Sequence, residues 1–183
     1  MQYFKLGLFY FFTLIFASCN SQVESENWDE FKVHYFDFDQ VDYYSTFVSE
    51  DSLYLLESSN TDNAVTERFI EVLADDVPKN LVDTMFIEEL ESFGYNYQLV
   101  PEHKHYELND LFREKSFDPS ESKWMCLPVY SDILIFKKQN KIVGIAKICF
   151  GCTILHVVGT NADTKNFGAC KGFWKLQKLL NTN

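Results

Sequence analysis

The sequence predicts an α+β fold: an antiparallel sheet with a C-terminal β-meander, packed against several helices that include a C-terminal amphipathic one. Three observations predict it. Residues 132–138, "DILIFKK", and 141–150, "KIVGIAKICF", are rich in β-branched and aromatic residues and flank Gln139–Asn140, which reads as a tight hairpin turn. Residues 153–158, "TILHVV", supply a further strand directly afterwards. Elsewhere, apolar residues recur at helical spacing. Hydrophobic residues make up 46% of the chain and aromatic residues 17%, with 18 Phe and 10 Tyr. That is enough for a packed core and argues against disorder. A length of 183 residues fits one folded domain.

Taken in order, residues 31–39, "FKVHYFDFD", alternate as a strand, with Phe31, Val33 and Tyr35 on one face. Residues 52–58, "SLYLLES", suit a strand or a helical turn. Residues 62–73 read as a helix, with Val65, Phe69 and Leu73 at fourfold spacing and the polar "SSNT" before them as a cap. Residues 78–93 read as a stronger helix. Val82, Phe86, Leu90 and Phe93 line one face, Pro78 suits the first turn and Gly94 the stop. Residues 95–100 alternate as a strand ended by Pro101, and 106–115 suit a short helix. After the meander, residues 170–180 form the amphipathic helix. Phe173, Leu176 and Leu180 make its apolar stripe, and Lys171, Lys175 and Lys178 a lysine stripe that is most simply a solvated face.

Charge is unevenly placed. The formal net charge is −11, which excludes broad nucleic-acid binding, because phosphate neutralisation needs a basic surface. Residues 136–183 hold 8 Lys against the single acid Asp163, whereas the chain from Cys19 to Ile135 is strongly acidic. The basic tail therefore packs beside an acidic body or turns toward an anionic partner or lipid headgroups.

The amino terminus reads "MQYFKLGLFYFFTLIFASCNSQ". Lys5 gives a positive start, and Leu6 to Phe16 is an apolar or small run. It is too short for the roughly 20 helical residues that span a bilayer and the right length for a signal-peptide core. Ala17 and Ser18 then precede Cys19. This arrangement resembles the lipobox of bacterial lipoproteins, with Phe16 standing where Leu, Val or Ile is more usual. The resemblance implies acylation of Cys19, which then becomes the new N-terminus. It divides the chain into a signal peptide at 1–18, an acylated cysteine and polar tether at 19–27, and a single globular domain at 28–183. The expected location is the bacterial cell envelope, lipid-anchored at the outer membrane.

Four cysteines remain: Cys126, Cys149, Cys152 and Cys170. The envelope beyond the inner membrane is oxidising and allows disulfides. "CFGC", 149–152, follows one strand and runs into another, whereas a thioredoxin-like dithiol sits at a helix N-terminus. Besides inert buried thiols, two other readings stay open. One is a zinc site in which Cys126, Cys149, Cys152 and His156 converge, although no cofactor is predicted outright. The other is a structural corner, oxidised either locally between Cys149 and Cys152 or through a longer bridge from Cys126. The structural corner is the preferred reading.

Other motifs add little. "EHKH", 102–105, has two histidines at strand spacing but follows Pro101 and reads as a solvated loop. The aromatics of "YFDFDQVDYY", 35–44, suit a sugar- or peptide-binding surface, but core packing explains them more simply. There is no G-x-S-x-G, H-E-x-x-H, Walker A or G-x-G-x-x-G motif. The stretch from Cys126 to Gly168, "CLPVYSDILIFKKQNKIVGIAKICFGC" with "VVGT" and "FG", resembles a group of uncharacterised envelope lipoproteins of Gram-negative bacteria that share an "ICF-x-C" hairpin corner. That resemblance implies that Cys126, Cys149 and Cys152 belong to one local site; Cys170 is not part of the pattern. The expected function is a non-catalytic binding or scaffolding module, attached to the membrane by its N-terminal lipid and serving a protein or small-molecule partner. The alternative is a metal-binding or thiol-active protein centred on Cys126, Cys149 and Cys152.

Overall fold

The turn at Gln139–Asn140 organises the sheet. Both residues take positive φ, 49° and 62°, as a two-residue type I′ hairpin turn requires, and asparagine tolerates that region well. The computed structural model describes residues 33–58, 63–116 and 126–182. Among them five strands form one antiparallel sheet: β1 (Gln40–Ser45), β2 (Asn96–Leu99), β3 (Asp132–Lys138), β4 (Lys141–Cys149) and β5 (Ile154–Val158). Their spatial order is β2-β1-β3-β4-β5. Five α-helices accompany the described strands: α1 (Glu50–Ser58), α2 (Ala64–Ala74), α3 (Met85–Glu89), α4 (His105–Leu111) and α5 (Gly172–Asn181).

Both faces of the sheet are covered. On one, Val41, Tyr43, Leu134, Phe136, Ala146 and Ile148 meet Leu108 and Leu111 of α4 and Leu176, Leu179 and Leu180 of α5. On the other, Tyr44, Ile133, Ile135, Ile145 and Val158 meet Leu53 of α1, Val72 and Leu73 of α2, and Phe86 of α3. The α+β expectation thus holds, with the sheet as a middle layer. The first face is dense in aromatic rings. Phe36 and Phe136 lie 4.5 Å apart by centroid, and Phe112 and Phe136 4.9 Å, within the range where tilted ring pairs attract.

Gly144 is needed for that packing. The register shifts between Phe136 and Lys137 as β3 pairs with β4, and the Phe36 ring lies over Gly144, its Cε1 only 2.1 Å from where a Cβ would stand. Phe36 is itself buried against Phe112 and Phe136, so it has nowhere cheap to go. Gly144→Ala is expected to lower unfolding free energy by about 1–3 kcal/mol, the usual cost of overpacking; chemical denaturation beside the wild type measures it.

Helix ends are closed by specific groups. Asn63, not "SSNT", caps α2: its side chain accepts the Val65 N–H at 3.1 Å. Lys104 is buried, and its Nζ donates to the carbonyls of Leu179 and Thr182 at the C-terminal end of α5. A cation there is favoured by the helix dipole and satisfies oxygens that lack intrahelical partners.

Several expectations are corrected. The strand expected at 31–39 is not there. Among its described residues only His34 makes a bridge, to Arg113, and the strand is β1, which begins directly after this segment at Gln40. Tyr35, Phe36, Tyr43 and Tyr44 are buried, so the core reading of "YFDFDQVDYY" is right. The helix expected over 78–93 shrinks to α3; Val82 is 90% exposed and does not belong to the buried face. Gly94 does stop this region, at φ 83°. The segment 52–58 is helical. "EHKH" is no solvated loop but a 3-10 turn, Glu102–Lys104, running into α4, and His105 Nε2 donates to Val100 O at 3.2 Å.

Candidate functional site

The cysteine corner lies where β4 turns into β5. Cys149 ends β4 and pairs across the sheet with Ile154. Phe150 and Gly151 make the turn, and Thr153 closes it at φ 53°. Cys126 and Cys152 are joined by a disulfide, with Cα atoms 6.0 Å apart and a sequence separation of 26. The longer of the two expected bridges is therefore the one present. Cys149 is a buried free thiol. Its Sγ accepts the backbone N–H of Val129 at 3.4 Å and of Cys152 at 3.3 Å. Cys126, Cys149 and Cys152 pack together with Tyr130 and Ile154. Cys170 is exposed and precedes α5.

The zinc reading requires three thiolates and an imidazole around one point. Two of those sulfurs are instead bonded to each other, and His156 Nε2 donates to Pro78 O at 2.8 Å. Among the described residues no group of three or more His, Cys, Asp and Glu gathers around a common point.

Beside the corner sits a buried charge that the sequence reading missed. Lys147 is 0% exposed and lies between Ile145 and Cys149 on the face covered by α2. Its ammonium donates to Asp75 O at 2.7 Å and stands 4.5 Å from the centre of the Tyr130 ring. Asp75 is the C-cap of α2, so the lysine meets the negative end of that helix. The Tyr130 N–H donates to Leu73 O at 2.7 Å and closes a second open carbonyl there. Burial pushes the Lys147 ammonium down to about 7, against the opposing pull of Asp76, Asp75 and Glu71. Tyr130 donates to Asp76 Oδ1 at 2.8 Å; burial first, then this carboxylate, raises the phenol well above its ordinary range. His156 sits directly across from Lys147 on β5, with Nδ1 3.7 Å from Asp76. Lys147, Tyr130 and His156 thus hold the connector after α2 from three directions. The visible signal was a lone lysine inside the apolar run "IVGIAKICF".

On the opposite side of the sheet, α4 and α5 flank a groove of about 520 Å³. Tyr106, Glu107 and Asp110 of α4 line one wall, and Trp174, Lys175 and Lys178 of α5 the other. Tyr106 is 84% and Trp174 59% exposed, and the Lys178 ammonium lies 5.4 Å from the Trp174 ring centre. Lys171, Lys175 and Lys178 are exposed, as a solvated stripe should be, and two of the three also edge the groove. Cys19, the expected acylation site, lies outside the described residues, among which no helix is long and apolar enough to cross a membrane. No family model, curated protein or solved structure matches the chain.

Proposed function

We propose that this chain is an envelope lipoprotein, held at the outer membrane through an acylated Cys19, and that its folded domain is a non-catalytic binding module working through the α4–α5 groove. The anchor rests on the sequence: a positively charged start, a short apolar core and "ASC" in lipobox order. The observation that carries the binding reading is the exposure of Tyr106 and Trp174 on the two walls of one groove, interleaved with Glu107, Asp110, Lys175 and Lys178. Flat apolar rings suit the C–H faces of a sugar, while carboxylates accept and ammonium groups donate hydrogen bonds to its hydroxyls. A saccharide is the ligand class this chemistry fits, and small-ligand sites are concave with a few placed polar groups.

Two experiments test the two halves. Growth with a clickable palmitate should label the full chain and leave Cys19→Ser unlabelled; label retained in Cys19→Ser sinks the anchor. Titration calorimetry against a panel of oligosaccharides should find a ligand for the wild type that Trp174→Ala binds at least tenfold more weakly at unchanged melting temperature. A wild type that binds none of the panel, or a variant that binds equally well, removes the groove from consideration.

A further inference from the structure

Three sulfurs share the β4–β5 corner, and two of them are bonded. Cys152 is the bonded partner of Cys126 and also the residue whose amide N–H meets the Cys149 thiol, 3.3 Å away. Cys149 and Cys152 are 5% and 1% exposed, whereas Cys126 is only half-buried. The free thiol is thus shielded from outside reagents yet seated against one end of an existing disulfide. Four-residue turns bring their ends within about 7 Å, which overlaps the range a disulfide spans. Gly151, inside the turn, has no atom within 4 Å of a built Cβ, so the turn has room to adjust.

We propose that this corner is a thiol–disulfide exchange site in which Cys149 is the nucleophile, Cys152 the shared sulfur and Cys126 the leaving group. The Cys149 thiolate attacks Cys152 Sγ. A Cys149–Cys152 bond forms and the Cys126–Cys152 bond breaks. Cys126 leaves as a thiolate and takes up a proton, matching the one Cys149 gave up, so the step neither consumes nor releases electrons. Before attack, the Val129 and Cys152 amides that point at Cys149 Sγ are placed to meet its developing negative charge. The product exposes a reactive thiol on the less buried member of the trio, where it can meet a thiol or disulfide partner. The exchange depends on neither the groove nor the lipid anchor.

The test is alkylation mapping of the intact, folded chain. Purified protein is held at pH 8 with N-ethylmaleimide for several hours and then denatured, and the modified cysteines are located by peptide mass. Exposed Cys170 serves as the internal standard for reagent activity. The expected result is alkylation at Cys126 as well as Cys170, with Cys149 modified at less than a tenth of the Cys126 level and recovered in a disulfide with Cys152. In Cys149→Ser, Cys126 should stay protected while Cys170 still reacts. Labelling of Cys170 alone in the wild type, or of Cys149 in place of Cys126, would show a fixed bridge and overturn the proposal. So would labelling of all three corner cysteines, which would mean that no bridge exists to exchange. A second variant guards against misfolding as the cause. Cys126→Ser should carry a Cys149–Cys152 disulfide, and free thiols at both positions would show that the local bridge cannot form.

Discussion

The unfolding free energy of this domain is expected to climb between pH 7 and pH 10, and Lys147 is the reason. In the unfolded chain this lysine holds its proton up to about pH 10.4; in the fold, burial lowers that point to about 7. Between the two values the unfolded state binds more protons than the folded state, so raising the pH favours folding, at up to about 1.4 kcal/mol per pH unit. Below pH 7 the lysine is charged in both states and the full cost of burying its charge is present. Above pH 10 the direction reverses. Tyr35, Tyr43, Tyr95 and Tyr130 are all pushed up, by burial first, so the unfolded chain loses phenolic protons earlier and stability falls. Urea unfolding at a series of pH values should therefore trace a maximum near pH 10. Lys147→Met should remove the rising limb and leave the falling one. A wild-type profile flat between pH 7 and 9.5 would show that the ammonium is not desolvated as its position implies.

Loss of the Cys126–Cys152 bridge is expected to cost about 3.5 kcal/mol, by the loop-closure relation for a link across 26 positions. The paired variant Cys126→Ser/Cys152→Ser measures it without leaving a partner for Cys149. The mechanism is restriction of the unfolded chain, so the native spectrum should be unchanged while the denaturation midpoint falls. A loss under about 1 kcal/mol would mean that the bridge is not closed in the folded protein. The bridge also ties Cys126 to the sheet next to Tyr130, whose hydroxyl and amide both serve the end of α2. Opening of that helix end, followed by hydrogen exchange at Asp75 and Asp76, should quicken in the same variant.

The parts of this fold legible in the sequence are those where local chemistry decides the backbone. The β3–β4 hairpin is one: two residues at positive φ between β-branched runs leave little choice. The stop at Gly94 is another. β1 was illegible because its alternation is hidden. Val41 and Tyr43 face one layer, Tyr44 the other, and Asp42, which shares Tyr44's side, is buried by an ion pair with Lys137 ninety-five positions away. A strand covered on both faces shows no apolar–polar rhythm. The helix at 78–93 was over-read because Val82 completes a stripe on paper that the fold leaves in solvent. At the corner, spacing put Cys149 and Cys152 together and only the resemblance added Cys126; neither could choose among pairings, which the path of the chain from Cys126 into β3 settles. The groove was invisible for a related reason: Tyr106 and Trp174 are sixty-eight positions apart and meet only through the packing of α4 on α5.

The strand order has a consequence for the order of events during synthesis. β1 lies between β2 and β3, so its inner neighbour is contributed by residues 132–138, and both covering layers rest on β1 together with strands from the last third of the chain. A growing polypeptide that has not yet delivered β3 and β4 lacks most of the platform on which α1, α2 and α4 bury their apolar sides. The central part of the sheet is therefore completed late. For a chain proposed to be an envelope lipoprotein, that delay would suit export, since the part able to lock the structure is the last to be made.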